Sequence, residues 1–331
     1  MESHTGESHD CSDTLRKWRQ KGEQLGILDL RKAYLQIHID TDLWAFQQIS
    51  YKNETYSLTR LGFGLASAPK IMSRILKTVL EQDETVAKAT SHYIDDILVD
   101  QQVCSFTKVA DHLKRFGLEC KPPSLFKESK ILGLQMNDSE NGILWCRSNQ
   151  PPSVEEVQDR NLTRRDVFSI CGRLVAHYPV VGCMRARCSF LKRHCEGSAW
   201  NDNVGSLAKW MLLDLLRRRE IKDPVGSFWH IKSGGDAIVW CDASDIALGV
   251  VLEIDGRIAE DGAWLRKTDD IAHINLAELD AVVKGVSVAI NWDVKRITIM
   301  SDSRSVVNWL NALLENKHPI KSTAMPELLI R

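Results

Sequence analysis

Hydrophobic and polar positions along the chain change period several times, and each change marks a new element. The short apolar run ILDL from Ile27 and the alternating YLQIHI that ends at Ile39 both predict strands, since alternation puts every second side chain on one half-buried face. FQQISY and TYSLTRL predict two more strands, with Asn53 marking the turn between them. Between Ala68 and Leu80 the period lengthens: Ile71, Ile75, Leu76 and Val79 recur at helical spacing, and Pro69 suits a first helical turn. HYIDDILVD presents two apolar arms around an Asp-Asp corner, and VADHLKRFGL predicts a helix stopped by Gly117. Residues 1–25 are polar and predict no strong element.

From Thr163 to Tyr178 the helical signal is cleaner. Thr163 with Asp166 resembles a capping box, and Val167, Ile170, Cys171, Leu174 and Val175 form one apolar stripe ended by Pro179. Two further helices are predicted over 183–195 and 204–219. Asp223, Pro224, Val225, Gly226 and Ser227 read as a linker, which places a domain boundary near 225–235. Beyond it come the strands AIVWCD and ALGVVLEI, an Asp255-Gly256 hairpin turn and the strand RIAEDGAWL. A helix over NLAELDAVVKGVSVAIN, the strand RITIMS and the helix SRSVVNWLNALL complete this α/β segment. The expected fold class is therefore α+β and α/β multidomain, with helices on one face of an N-terminal sheet and a mainly helical middle.

A length of 331 residues, 44% of them hydrophobic, accommodates two or three cores. No membrane partner is expected. The most apolar stretch is broken by Asp242 and Asp245 well short of the roughly 20 apolar residues of a spanning helix, and MESHTGESHD lacks the features of a secretory signal. Nine cysteines without a repeating framework fit reduced thiols, so the expected location is intracellular, either cytoplasmic (including a virus-like particle) or nuclear. Cys188 and Cys195 lie one heptad apart, which predicts buried thiols rather than a zinc site with Cys183 and His194. A net charge of -1 gives no global attraction to nucleic acid, so any such binding must come from local basic patches. Arg164, Arg165, Arg173, Arg185, Arg187, Lys192, Arg193 and the run Arg217, Arg218, Arg219 are candidates, with solvated helix faces as the plainer reading.

Charge chemistry sharpens the picture at two groups of acids. Asp29 ends an apolar strand, and Asp95 and Asp96 sit at a hairpin corner. If these elements are sheet neighbours, three carboxylates converge; they repel one another unless divalent cations neutralise them, and Mg²⁺ prefers hard oxygen ligands. Two such ions about 3.5 to 4 Å apart activate a primer 3′-hydroxyl and stabilise a leaving pyrophosphate. Taken alone, Asp-Asp is also ordinary turn chemistry. The surrounding residues narrow the choice: LDLRKAYLQIHI, LTRLGFGLASAP and YIDDILV, in that order, resemble motifs A, B and C of reverse transcriptases from LTR retrotransposons, gypsy-like or Bel/Pao-like. GLECKPP and KILGLQM look like that family's motif D and primer grip, so the resemblance covers most of 26–136. It implies that Asp29, Asp95 and Asp96 are the polymerase metal carboxylates, with Asp96 the least direct ligand. It also implies that Tyr34 screens the sugar 2′ position, that Phe63 and Gly64 contact the incoming nucleotide and template, and that Lys121 protonates pyrophosphate, although KPP departs from the commoner motif D pattern.

The second group is Asp242 in WCDAS, Glu278 in NLAELDAV and Asp302 in IMSDSRSV. Glu278 could be a capping glutamate after Asn275, and Asp302 an N-cap. Their strand, helix, strand order resembles three of the four acids of type 1 ribonuclease H, a two-metal nuclease that cleaves the RNA of an RNA-DNA hybrid. The resemblance implies Mg²⁺ or Mn²⁺, two ions per active site, and an RNA template, DNA primer, RNA-DNA hybrid and deoxynucleoside triphosphates as partners. The expected domains are a polar remnant at 1–25, a reverse-transcriptase palm at 26–145, a helical thumb and connection at 146–225, and a ribonuclease H-like domain at 235–331. Only 28 residues precede Asp29, and after Asp302 no good fourth ligand follows before MPELLIR, His318 being too close to the preceding helix. Missing fingers, a shortened C-terminal domain and impaired activity are therefore expected. The competing expectation is a non-catalytic remnant that binds nucleic acid or a partner through the basic helices.

Overall fold

The structure, a computed structural model, describes residues 11–22, 24–176, 179–195, 199–232, 234–267 and 273–315. In chain order it begins with α1 (Cys11–Gln20), β1 (Leu25–Asp29), β2 (Gln48–Tyr51), β3 (Glu54–Ser57), α2 (Ala68–Leu80), α3 (Glu84–Ala89), β4 (Thr90–Tyr93) and β5 (Asp96–Asp100). It continues with α4 (Phe106–Arg115), β6 (Ser124–Leu125), β7 (Lys130–Ile131), β8 (Leu134–Asn137), β9 (Leu144–Arg147), α5 (Val154–Gln158), α6 (Arg164–Val175), α7 (Gly182–His194) and α8 (Ser206–Ile221). The remainder is β10 (Gly226–Phe228), β11 (Asp236–Ala243), β12 (Ala247–Ile254), β13 (Arg257–Leu265), α9 (Ile274–Asn291), β14 (Arg296–Met300) and α10 (Arg304–Leu314). These elements form two units, Met1–Pro179 with Ser198–Ser233, and Val180–Gly197 with Gly234–Arg331.

In the first unit an antiparallel sheet of order β4-β5-β1-β6 carries α2, α3 and α4. Alternation along β1 and β5 sends Leu28, Ile97 and Val99 into one core with Met72, Leu76, Val86, Val109 and Leu113 from the helices. A second sheet, β10-β9-β8-β7, is also antiparallel. Beside it the buried rings of Trp145, Trp229 and Phe126 meet edge to face. The β2-β3 hairpin turns through Lys52 and Asn53, both at positive φ, as a two-residue turn requires.

Three expectations change here. The stretch 1–25 is not featureless: α1 buries Leu15, Trp18 and Arg19 completely, while residues 1–10 lie outside the described residues. Trp18 Nε1 donates to Ser91 Oγ at 2.9 Å, and the Arg19 guanidinium donates to the Trp229 carbonyl at 3.0 Å while covering the Trp145 ring. Polar composition hid this because the charged end of Arg19 is satisfied by carbonyls some two hundred positions away. YLQIHI forms no strand. Lys32 adopts φ 48°, Ala33–Gln36 wind into a 3₁₀ turn, and the Gln36 amide takes hydrogen bonds that a ladder would have supplied. Finally, the linker expected at 223–227 contains β10, which pairs with β9 because Asp223 is held by Arg147 on that strand.

The second unit is a mixed sheet of order β13-β12-β11-β14, with β14 parallel to β11 and the other pairings antiparallel. Helix α9 covers it through Ala277, Ala281, Val282, Gly285, Val288 and Ala289. A Cβ on Gly285 would overlap Val239 Cγ1 and lie 2.9 Å from Cys241 Sγ, so only glycine lets α9 settle this close to β11. The Asp255-Gly256 turn forms as expected, with φ 49° and 73°. The helical middle expected as one region over 146–225 divides: α5, α6 and α8 belong to the first unit, whereas α7 lies against β13 in the second. Among the described residues no helix is long and apolar enough to cross a membrane.

Candidate active sites

β1 ends at Asp29, and the β1-β5 register places Asp29 opposite Asp96. The β4-β5 hairpin closes through the pair Tyr93 and Asp96, leaving Ile94 and Asp95 as the turn. Ile94 takes φ 57°, a left-handed conformation that costs a β-branched residue about 1–3 kcal/mol. That turn sets Asp95 beside the other two acids at one end of the sheet. Burial is the main reason the Asp96 carboxyl is pushed up to about 6, with the negative charges of Asp95 and then Asp29 adding to it. Asp95 is raised as well, by burial first and by Asp29. Lys121 Nζ lies 2.5 Å from Asp29 Oδ2, and its charge draws the carboxyls of Asp95 and Asp96 back down.

Tyr34 stands at the same place. Its ring meets Phe63 edge to face, with centroids 5.3 Å apart, and its hydroxyl is shifted up by burial and by the charge of Asp95. Phe63 remains 67% exposed, so its other face is open to a ligand. Gly64 follows at φ 86° with open space where a Cβ would be. Asp29, Asp95, Asp96, Tyr34, Phe63 and Lys121 are thus gathered together, with Gly64 next to them. Sequence reasoning missed Gln36, whose amide accepts from the Glu119 N–H at 2.6 Å and donates to the Glu119 carbonyl at 3.0 Å. It was hidden by being read as a strand residue, and nothing local signals a partner that lies 83 positions away.

The second cluster lies in the other unit. Asp242 near the end of β11, Glu278 in α9 and Asp302 just after β14 offer carboxylate oxygens all within 4.8 Å of one another. The capping alternatives do not apply, because the N-cap of α9 is His273 and that of α10 is Ser303. Glu278 is 6% exposed; one of its oxygens, Oε2, is buried without a hydrogen-bond partner. Its carboxyl is raised by burial and by the charges of Asp242 and Asp302, against a hydrogen bond with the Ala243 backbone. A groove of 520 Å³ opens beside the cluster, lined by Asp242 and Asp302 together with Trp240, Met300, Cys183 and Asp261. The segment after α10 where a fourth ligand was sought, including His318, lies outside the described residues.

Both donor sets have the chemistry a hard divalent cation prefers, and among the described residues Asp242, Glu278 and Asp302 are the group that brings three ligand atoms within 4.8 Å of one another. Both sets consist of carboxylate oxygens alone, neighbouring acids raise the proton affinity of Asp95, Asp96 and Glu278, and at Glu278 a buried oxygen lacks a partner that a cation would supply.

Residues 237–325 match the family profile described as "Reverse transcriptase-like", and 163–220 match a domain of unknown function, DUF7047. A retrovirus-related Pol polyprotein from transposon 297 of Drosophila melanogaster is 22% identical over 321 residues, covering 89% of this chain. The chain spans 28% of that relative's length. Among solved structures, a foamy viral protease-reverse transcriptase bound to double-stranded DNA superposes with a TM-score of 0.69 at 14% identity, covering 98% of this chain and 61% of that one. The foamy viral enzyme bound to an RNA/DNA hybrid gives 0.66 at 15% identity, covering 96% and 46% respectively. The chain is therefore similar over most of its length to part of a transposon Pol polyprotein, carries a reverse-transcriptase-like segment toward its C-terminus, and shares its fold with foamy viral protease-reverse transcriptases.

Proposed function

We propose that the first unit carries a reverse-transcriptase palm, acting as an RNA-directed DNA polymerase, and that 235–331 is a ribonuclease H-like domain acting on RNA-DNA hybrids. Residues 26–145 are the palm in this reading, and most of 146–225 its thumb and connection. The observation that carries it is the gathering of six acids from five separate stretches of sequence into two clusters of three beside sheet ends. Mg²⁺ or Mn²⁺, two ions to each cluster, would supply a lowered pKa at the attacking oxygen and charge neutralisation at the leaving oxygen. Asp29 and Asp95 hold the polymerase ions and Asp96 tunes their charge. Asp242, Glu278 and Asp302 hold those of the nuclease. Tyr34, braced by Phe63, fills the space a 2′-hydroxyl would need and so favours deoxynucleoside triphosphates. Hybrid and template are engaged through backbone and 2′-hydroxyl contacts rather than sequence. The nine free thiols support an intracellular location.

The test is primer extension on an RNA template with Mg²⁺, beside RNA cleavage in a preformed hybrid. Asp95→Asn should abolish extension and leave cleavage, and Asp242→Asn should do the reverse. Salt-sensitive hybrid binding with no turnover, unaffected by either substitution, would favour a non-catalytic binding protein instead.

A further inference from the structure

Lys121 is held against Asp29 more firmly than a surface lysine needs to be. Its backbone N–H donates to the Asp29 carbonyl at 2.8 Å, Leu30 bridges to Cys120, and Arg31 N–H donates to the Glu119 carbonyl at 2.9 Å. The segment 119–121 therefore runs antiparallel to the end of β1 and fixes the root of the lysine opposite Asp29. Gln36 locks that segment a second time, since its amide binds both backbone groups of Glu119 and also the Arg31 carbonyl. From this root the ammonium reaches Asp29 Oδ2 at 2.5 Å, a charge-assisted hydrogen bond, and its field extends to Asp95 and Asp96.

We propose that Lys121 is an internal counter-cation of the first cluster: it holds Asp29 Oδ2 and sets a positive charge beside the carboxylates, so the Lys121–Asp29 pair and a divalent ion compete for the cluster. An ammonium already bound to Asp29 Oδ2 takes up one lone pair of that oxygen and repels an incoming dication, so the ion binds less tightly than it would to the bare carboxylates. The lysine stabilises three crowded carboxylates while the ions are absent, and it raises the ion concentration at which the cluster fills. Gln36 is a positioning residue for this exchange. The inference rests on reading Asp29 and Asp95 as ion ligands, and goes beyond it by assigning a competitor.

The experiment is Mn²⁺ binding, followed by loss of the free-ion electron paramagnetic resonance signal, with no substrate present. It uses the full chain carrying Asp242→Asn and Asp302→Asn, so that only the first cluster is read. Lys121→Met should bind Mn²⁺ about fivefold tighter than this parent, the order of an exposed ion pair. Lys121→Arg, which keeps the charge, should stay at the parent value, and adding Asp29→Asn and Asp95→Asn should remove binding. Lys121→Gln serves the same arm as Lys121→Met if thermal melting shows the latter misfolded. Unchanged or weaker binding in the neutral variants, or equal tightening in Lys121→Arg, overturns the competition while leaving the ion ligands in place. Absence of Mn²⁺ binding in every folded variant overturns the ion-binding reading, and the competitor with it.

Discussion

Asp96 shows at the scale of one residue what gathering acids costs. Its folded-state value of about 6 lies above the ordinary 3.8, so the folded protein holds this proton more tightly than the unfolded chain does. The penalty is therefore absent below the unfolded value, grows as pH rises through about 6, and is fully present above it. In chelator, Asp96→Asn should melt at a higher temperature than the wild type at about pH 8, with the gap closing toward about pH 4. A gap independent of pH would show that the carboxylate charge is not its source. Adjacent charge is legible from YIDDILV alone, but the shift of Asp96 comes first from its burial in the fold, then from Asp95, and then from Asp29, which the β1-β5 register brings opposite.

At the scale of elements, two contacts decide whether helices and strands hold the sites in place. Helix α9 presents Glu278 to Asp242 only because Gly285, two turns on, lets it lie close to β11. Gly285→Ala should cost about 1–3 kcal/mol in urea unfolding through overpacking, and should weaken divalent-ion binding at the second cluster. Loss of stability with unchanged ion affinity would separate the packing from the site. In the first unit, Arg147 on β9 has a fully buried side chain; it binds Asp223 through two nitrogens, at 2.8 and 2.9 Å. Its remaining nitrogen caps the last turn of α6 through the carbonyls of Arg173 and Leu174. Arg147→Met should cost about 3 kcal/mol, the low end for breaking a buried pair, because Arg219 still reaches Asp223 at 3.5 Å. Chemical denaturation measures this, and a loss under about 1 kcal/mol would show that the carbonyls and Asp223 find other partners.

At the scale of the whole molecule, both clusters exist only in the folded chain, so ion binding at them, in the proposed reading, is linked to stability. Mg²⁺ at about a hundred times its dissociation constant should add about 2.7 kcal/mol per ion-binding site, read as a rise in melting temperature. A variant lacking Asp29, Asp95, Asp242 and Asp302 carboxylates should show no such rise beyond the effect of ionic strength. Persistence of the full rise would place the ions elsewhere.

Short-range pattern alone carried the elements of the second unit and the helices α2, α4, α6, α7 and α8, because periodicity, capping and turn chemistry act within a few residues, whereas the candidate acids were singled out by the motifs that flank them. Packing between distant segments decided the rest. Arg19 turns a polar N-terminal stretch into a buried helix because carbonyls near Trp229 receive it, and Gln36 ends a would-be strand because Glu119 lies beside it. Other long-range contacts put α7 against β13 in the second unit and Lys121 on Asp29, and neither is visible in local pattern, since the partners that determine them are supplied by other parts of the folded chain.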